Sequence, residues 1–269
     1  MRRLIPWLGA SLFALPFLTA GAARAQSAQD LPVVNVNNEI GLAADMMLQN
    51  AFDKELPGNT SPIASGWLPG LEAKASVMQD VLGISNVYAA VRYTFNDGAA
   101  SLGPFPPYGG TVNQINNALN IEVGKGFLIT NDLMLIPFIQ GGYDSLQTSQ
   151  NFGGQSTNGT TNGYVGVGLR ADYALTERLV LTGRLGWAET VDGNVSIGPS
   201  NINRSLGDMP AWQAGAGFDY LMTGHWHLYG GVDYTDFALA GGAPYMPPIG
   251  AATEKFNELN FHLGIAWSF

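Results

Sequence analysis

The sequence predicts an all-β chain: an eight-stranded antiparallel transmembrane β-barrel, with ten strands as the alternative, behind a partly helical N-terminal extension. Three observations carry that expectation. Long stretches alternate large apolar with small or polar residues at a period of two. The connections between them are alternately short and long. After residue 25 no segment has the about 18 consecutive apolar residues of a spanning helix, although 46% of the 269 residues are hydrophobic and only 12% charged.

The first 25 residues read as an export leader. Arg2 and Arg3 precede an apolar run from Leu4 to Leu18, and Ala23-Arg24-Ala25 gives the small-x-small pattern of a cleavage site before Gln26. Cleavage would remove Arg2, Arg3 and Arg24 and no acid, so the 12 basic groups less these three leave 9 against 21 acidic ones. Such an acidic chain is no partner for nucleic acid, whose binding needs clustered Lys and Arg. With no cysteine, thiol redox chemistry, thiolate metal sites and disulfides are excluded.

Eight strands follow from the alternation. The first is 86–95 (NVYAAVRYTF). Next come 118–127 and 133–143, joined by a Thr130-Asn-Asp132 turn. In 164–173, Val165, Val167, Leu169 and Tyr173 alternate with Gly166, Gly168, Arg170 and Asp172; a Thr176-Glu-Arg178 turn leads to 179–188. Strands 212–220 and 226–235 flank a short turn at 221–225. Gly-, Pro-, Asn-, Ser- and Thr-rich connections occupy 96–117, 144–163, 189–210 and 236–256. Short turns at one end and long loops at the other are the asymmetry of outer-membrane barrels, whose long loops face outside the cell. Closure into a barrel also pairs every backbone N–H and C=O away from water. Tyr143, Trp187, Trp212 and Tyr234 at one level, and Tyr173, Tyr220, Trp226 and Phe269 at the other, are placed to form the two aromatic girdles.

The last strand is the clearest. Leu259, Phe261, Leu263, Ile265, Trp267 and Phe269 alternate with Asn260, His262, Gly264, Ala266 and Ser268. The terminal NFHLGIAWSF resembles the C-terminal signal of bacterial outer-membrane barrels, in which a final aromatic is read by the barrel assembly machinery. Over 86–269, segments such as GAGFDYLMTGHWHLYGGVDYTDF and YVGVGLRADYALTERLVLTGRLGW resemble small barrels of the OmpA/OmpX type. The match is one of strand grammar and includes no functional motif. It implies a Gram-negative outer-membrane location and a structural, adhesive or weakly permeable element; a few members of that broad group modify lipid A. The expectation is a barrel without the periplasmic peptidoglycan-binding domain of full OmpA proteins.

Residues 26–85 depart from this grammar. Ile40, Ala44, Met47, Leu48, Ala51 and Phe52 fall at helical spacing, so 38–55 reads as an amphipathic helix ended by Pro57-Gly58. The stretch 71–82 fits a helix through Leu71, Ala75, Met78 and Leu82. It also fits a strand through Leu71, Ala73, Ala75 and Val77 alternating with Glu72, Lys74 and Ser76. The helical reading is the one adopted and makes 26–85 a periplasmic or interfacial cap or a lumen plug; the strand reading adds a partner from about 31–42 and gives ten strands.

Inward positions receive Arg92, Glu122, Gln140, Arg170, Asp172, Arg184, Asp219, Asp233 and His262, a charge network or a gate. Three other constellations suggest chemistry. His262 and Asp233, on neighbouring strands, resemble the orienting half of a Ser-His-Asp site with no serine compelled to join. His225 and His227 stand at strand spacing i, i+2, without evident carboxylate support. Gly166-Val-Gly168-Leu-Arg-Ala171 fits a loose dinucleotide pattern but opens no helix. No cofactor or metal site is therefore expected. Phe105-Pro-Pro-Tyr108 and Pro244-Tyr-Met-Pro-Pro248 give the long loops stiff aromatic tips. The expected role is structural or surface-interacting, with a narrow gated channel for water or small ions second and a lipid A enzyme third. The expected partners are outer-membrane lipid and lipopolysaccharide, the assembly machinery, and an extracellular macromolecule bound through the loops.

Overall fold

The computed structural model describes residues 31–53, 62–103, 110–151, 155–197, 202–206, 209–240 and 253–269. The export leader and both aromatic loop tips lie outside the described residues. In chain order the elements are α1 (Pro32–Asn35), β1 (Glu39–Asp53), β2 (Ala64–Val81), β3 (Ile84–Leu102), β4 (Gly110–Lys125), β5 (Phe127–Thr130), β6 (Leu133–Asn151), β7 (Gln155–Thr176), β8 (Leu179–Ile197), β9 (Ile202–Leu206), β10 (Pro210–Thr223), β11 (Trp226–Ala240) and β12 (Thr253–Ser268). Every pairing is antiparallel between neighbours. β12 pairs with β1, and β8 with β10, which closes the sheet on itself. β5 continues β4 past Gly126, and β9 pairs with β8 beyond the closed wall. The barrel therefore has ten strands, with β9 outside it.

Six of the eight predicted strands fall inside observed ones; 118–127 runs from β4 across Gly126 to the start of β5, and the last extends one residue beyond β12. The two extra strands are β1 and β2, where the sequence reading favoured helix. Helical structure in the described part of that segment is confined to the four residues of α1. Ile40, Leu42 and Met46 of β1 point outward, while Gly41, Ala43, Asp45 and Met47 point in. Leu42 sits between Ala73 of β2 and Ile265 of β12. The helical spacing arose because Met47 and Ala51 point into the barrel, Ala51 into an apolar layer, while Ala44 and Leu48 face out. With apolar residues on both faces, and Asp45 and Gln49 among the inward ones, the period-two signal vanishes. In β2 the strand reading was the correct one, with Leu71 outward and Glu72 inward.

The long loops were also overestimated. β6 runs to Asn151 and β7 starts at Gln155, so most of 144–163 is strand. The 22 residues of β7 span roughly 73 Å at about 3.3 Å each, and at a tilt of about 40° they rise roughly 55 Å. The apolar band of an outer-membrane barrel is only about 25 Å tall. Above it the strands read YDSLQTSQN and QSTNGTTNG, a wall wet on the outside, where apolar alternation has no cause to persist.

At the other end the turns are tight. Leu82 and Gly83 between β2 and β3 both have positive φ, 51° and 83°, the twist a two-residue hairpin requires. α1 lies inside this mouth. Val33, Val34 and Val36 pack with Met78, Tyr88, Met134, Ile136, Ala174 and Val180 as an apolar stopper. A second apolar layer, comprising Ala51, Ile63, Ala64, Ala100, Val112, Leu146 and Phe256, closes the opposite half of the lumen, with Phe237 stacked on Phe256. Between the two stoppers the interior is polar. All eight predicted girdle aromatics are exposed on the outer face, and Trp187 pairs directly with Trp212 across β8 and β10.

Candidate functional site in the barrel lumen

Alternation sends every second side chain of each strand inward, and all of the predicted lumen residues do point there. They do not form one network. Three groups stack along the barrel.

The first lies just inside the α1 stopper. Asp172, fully buried, accepts from Arg170 Nε at 2.8 Å, from Thr182 Oγ1 at 2.9 Å and from Asn37 Nδ2 at 2.9 Å, so it ties the stopper to the wall. Arg170 also donates to the Tyr88 hydroxyl, which in turn donates to Glu122. Arg184 pairs with Glu122 at 2.6 Å and donates to Gln140 at 2.8 Å.

The second group centres on Arg92, which reaches across the lumen to Asp233 Oδ2 at 2.8 Å and lies 3.5 Å from Glu72 Oε2. His262 Nδ1 stands 3.7 Å from Asp233 and 4.0 Å from Glu72, beyond hydrogen-bond length from either. Asp45 accepts from Asn96. The His262–Asp233 half-triad expected from sequence is therefore not made: Arg92 holds the carboxylate instead.

The third group sits at the short-turn rim. Lys74 Nζ pairs with Glu39 Oε1 at 2.5 Å and rests over the Tyr229 ring. His227 Nδ1 meets Asp219 Oδ1 at 2.5 Å, and His227 Nε2 lies 3.2 Å from Ser268 Oγ. Asp219 therefore belongs with His227 and apart from the other predicted charges. His225 takes no part in this set; its exposed ring packs 5.0 Å from that of Trp267. Carboxylate support for His227, not evident in the sequence, comes from Asp219 on the adjacent strand β10, with Glu39 of β1 close by.

Asp219, His227 and Ser268 have the order of a hydrolase triad, beside a cavity of about 350 Å³ that Arg178 and Leu221 also line. Such chemistry needs backbone N–H groups free to hold an oxyanion. Those of Ser268 and Phe269 already donate to His225 O and Asn38 O. The glycines of the loose dinucleotide pattern lie inside β7, where a Cβ on Gly168 would strike the Phe138 ring.

Sequence reasoning missed Glu39, Asp45, Glu72 and Lys74, because β1 and β2 were read as helix. The Glu72-Lys74-Ser76 alternation was the signal that pointed to them. It also missed Gln49, whose Nε2 donates to Glu258 at 2.8 Å nearer the far stopper. Counting these residues and Asp144, which stands near Glu258, the acids Glu39, Asp45, Glu72, Glu122, Asp144, Asp172, Asp219, Asp233 and Glu258 face Lys74, Arg92, Arg170 and Arg184. The described lumen thus holds more than twice as many acids as permanent cations.

A profile of the outer membrane protein beta-barrel domain family matches residues 12–269. Among solved structures, the chain is similar to the outer membrane protease OmpT from Escherichia coli, at 10% identity over 86% of this chain and 95% of that one, with a TM-score of 0.46. It is also similar to the translocator domain of the autotransporter NalP from Neisseria meningitidis, at 10% identity over 87% and 89%, with a TM-score of 0.42. For the outer membrane protein OprG from Pseudomonas aeruginosa the values are 11%, 86% and 96%, with a TM-score of 0.34. At these levels the likeness carries nothing about activity. No curated protein matches the sequence.

Proposed function

Because the chain belongs to the outer membrane protein beta-barrel domain family and so to the outer membrane, we propose that it is a closed, non-catalytic barrel whose role is structural and surface-facing. The observation that carries this reading is the pair of apolar stoppers, one on each side of a polar stretch of lumen. An open pore needs a continuous wet path, and apolar constrictions block one by dewetting. What remains free to act is the polar-walled rim that the strands raise above the apolar band. The rim and its loops are the part offered to lipopolysaccharide or to an extracellular macromolecule. The leader is cleaved before Gln26, and Phe261, Leu263, Ile265, Trp267 and Phe269 form the face presented to the assembly machinery.

The test is single-channel conductance of the mature protein in a planar bilayer. It is run beside a variant lacking residues 26–38, which removes α1 and leaves β1 whole. Both are expected to be silent, because the outer apolar layer persists in the variant. Steady openings in the full-length barrel that change when Arg92 or Arg184 is neutralised would overturn the reading in favour of a gated channel. The feature that favours the channel is a pair of polar cavities of about 100 Å³ each along the lumen. For the non-catalytic part, Ser268→Ala is expected to leave any background hydrolysis of a p-nitrophenyl ester unchanged. A loss with that substitution would make the rim triad an active site.

A further inference from the structure

Correcting β1 and β2 from helix to strand brings Asp45 and Glu72 into the lumen beside His262. We propose that these three residues form a divalent transition-metal site, and that its ion is Zn²⁺.

The three residues come from β1, β2 and β12, which are adjacent in the barrel. Asp45 is the direct cross-strand partner of His262, and Glu72 lies opposite Ala43, one inward position away. One ligating atom of each residue lies within 4.8 Å of those of the other two. Ligands about 2.1 Å from a tetrahedral Zn²⁺ stand about 3.4 Å apart. Small rotamer changes therefore suffice to close the set, with no movement of the strands.

The second observation is that these side chains are buried with ligand atoms left over. Asp45 is 4% exposed, Glu72 2%, and the His262 side chain 9%. Asp45 Oδ1, Glu72 Oε1 and His262 Nδ1 all lack a well-formed hydrogen bond, with the Tyr229 hydroxyl standing beside Glu72. Leaving one such atom buried and unsatisfied is costly, and three within one cluster call for a shared partner; of the two Glu72 oxygens it is Oε2 that stands 4.0 Å from His262 Nδ1. Asn96 and Arg92 engage the other oxygens of the two carboxylates, which orients them as outer partners orient metal ligands. The local charge agrees: Arg92 is set against both Glu72 and Asp233, and the buried Asp45 adds a third carboxylate. A cavity of about 100 Å³ lined by Asp45, Glu72 and Arg92 leaves room for a water as fourth ligand.

The chemistry of the set selects the ion. One imidazole with two carboxylates suits Zn²⁺, which takes nitrogen and oxygen donors in four-coordination; Ca²⁺ and Mg²⁺ favour six or more oxygens. The other lumen cluster of this composition, Glu39, Asp219 and His227, makes a useful contrast. There Lys74 already sits on Glu39, and both His227 nitrogens are engaged.

The experiment refolds the mature protein into detergent with Zn²⁺ alone as probe, removes free metal, and measures retained zinc per heat-modifiable barrel. One equivalent is expected. Asp45→Asn and His262→Gln should each weaken retention by more than the roughly 10–100-fold that changes around a metal's ligands produce, and His227→Gln should leave it intact. No zinc in the folded wild type, zinc retained by both lumen variants, or loss only with His227→Gln would each overturn the proposal. Should the variants fail to fold, Co²⁺ in the wild type decides. Intense visible bands of a four-coordinate site support the proposal, and a pale six-coordinate spectrum or none overturns it.

Discussion

Arg170→Met is expected to lower the stability of the folded barrel by about 3–5 kcal/mol, because it strands a buried carboxylate. Asp172 has no exposed surface, and the Arg170 side chain is 18% exposed, so solvent cannot replace the lost partner. Asn37 and Thr182 still donate to Asp172, but neither brings a charge. The damage should spread to the stopper, since Asn37 of the α1 segment is anchored on that carboxylate. The double variant Arg170→Met/Asp172→Leu removes both charges and should recover most of the loss, as replacing a whole buried pair is often neutral. Urea midpoints of the heat-modifiable form in detergent measure both. If the double variant is as unstable as the single one, the unpaired charge is not the cause.

Gly264→Val should cost about 3 kcal/mol or more and leave little folded barrel. Gly264 of β12 faces inward opposite Ala43 of β1. A Cβ there would lie 2.5 Å from the Ala43 Cα and its methyl, and would also press on the Leu42 carbonyl oxygen. These are backbone atoms of the neighbouring strand, so they yield only by opening the β1–β12 seam, and overpacking of this kind is severely destabilising. Gly183→Ala is the control: it lies on the exposed outer face and a Cβ added there meets nothing within 4 Å. Equal heat-modifiable fractions for the two variants would show that Gly264 does not set the seam.

The fold was legible wherever the two faces of a strand meet different surroundings. Leu259 to Phe269 alternate strictly because lipid lies on one side and a polar interior on the other. Asp45 to Phe52 do not, because polar and apolar residues are mixed on both faces: Asp45, Met47, Gln49 and Ala51 point in, and Met46, Leu48 and Asn50 point out. The strand extensions above the membrane were hidden for a related reason: water outside and polar side chains inside make both faces alike. A period of two marks a difference between faces, so a strand with two similar faces has no signature of its own.

For the site, the sequence determined which side chains of the eight recognised strands face the lumen, since inward direction follows from strand parity alone, but not those of β1 and β2. It also determined the acidic balance, the absence of thiol chemistry and the aromatic girdles. The tertiary structure decided who meets whom. Arg92 pairs with Asp233 from 141 positions away, Asp219 pairs with His227, and Asp45 and Glu72 join His262. These contacts depend on the number of strands and on how the sheet closes, with β12 returning to β1. Closure is a property of the whole sheet, and no local stretch of sequence records which inward residues it will bring to the same height.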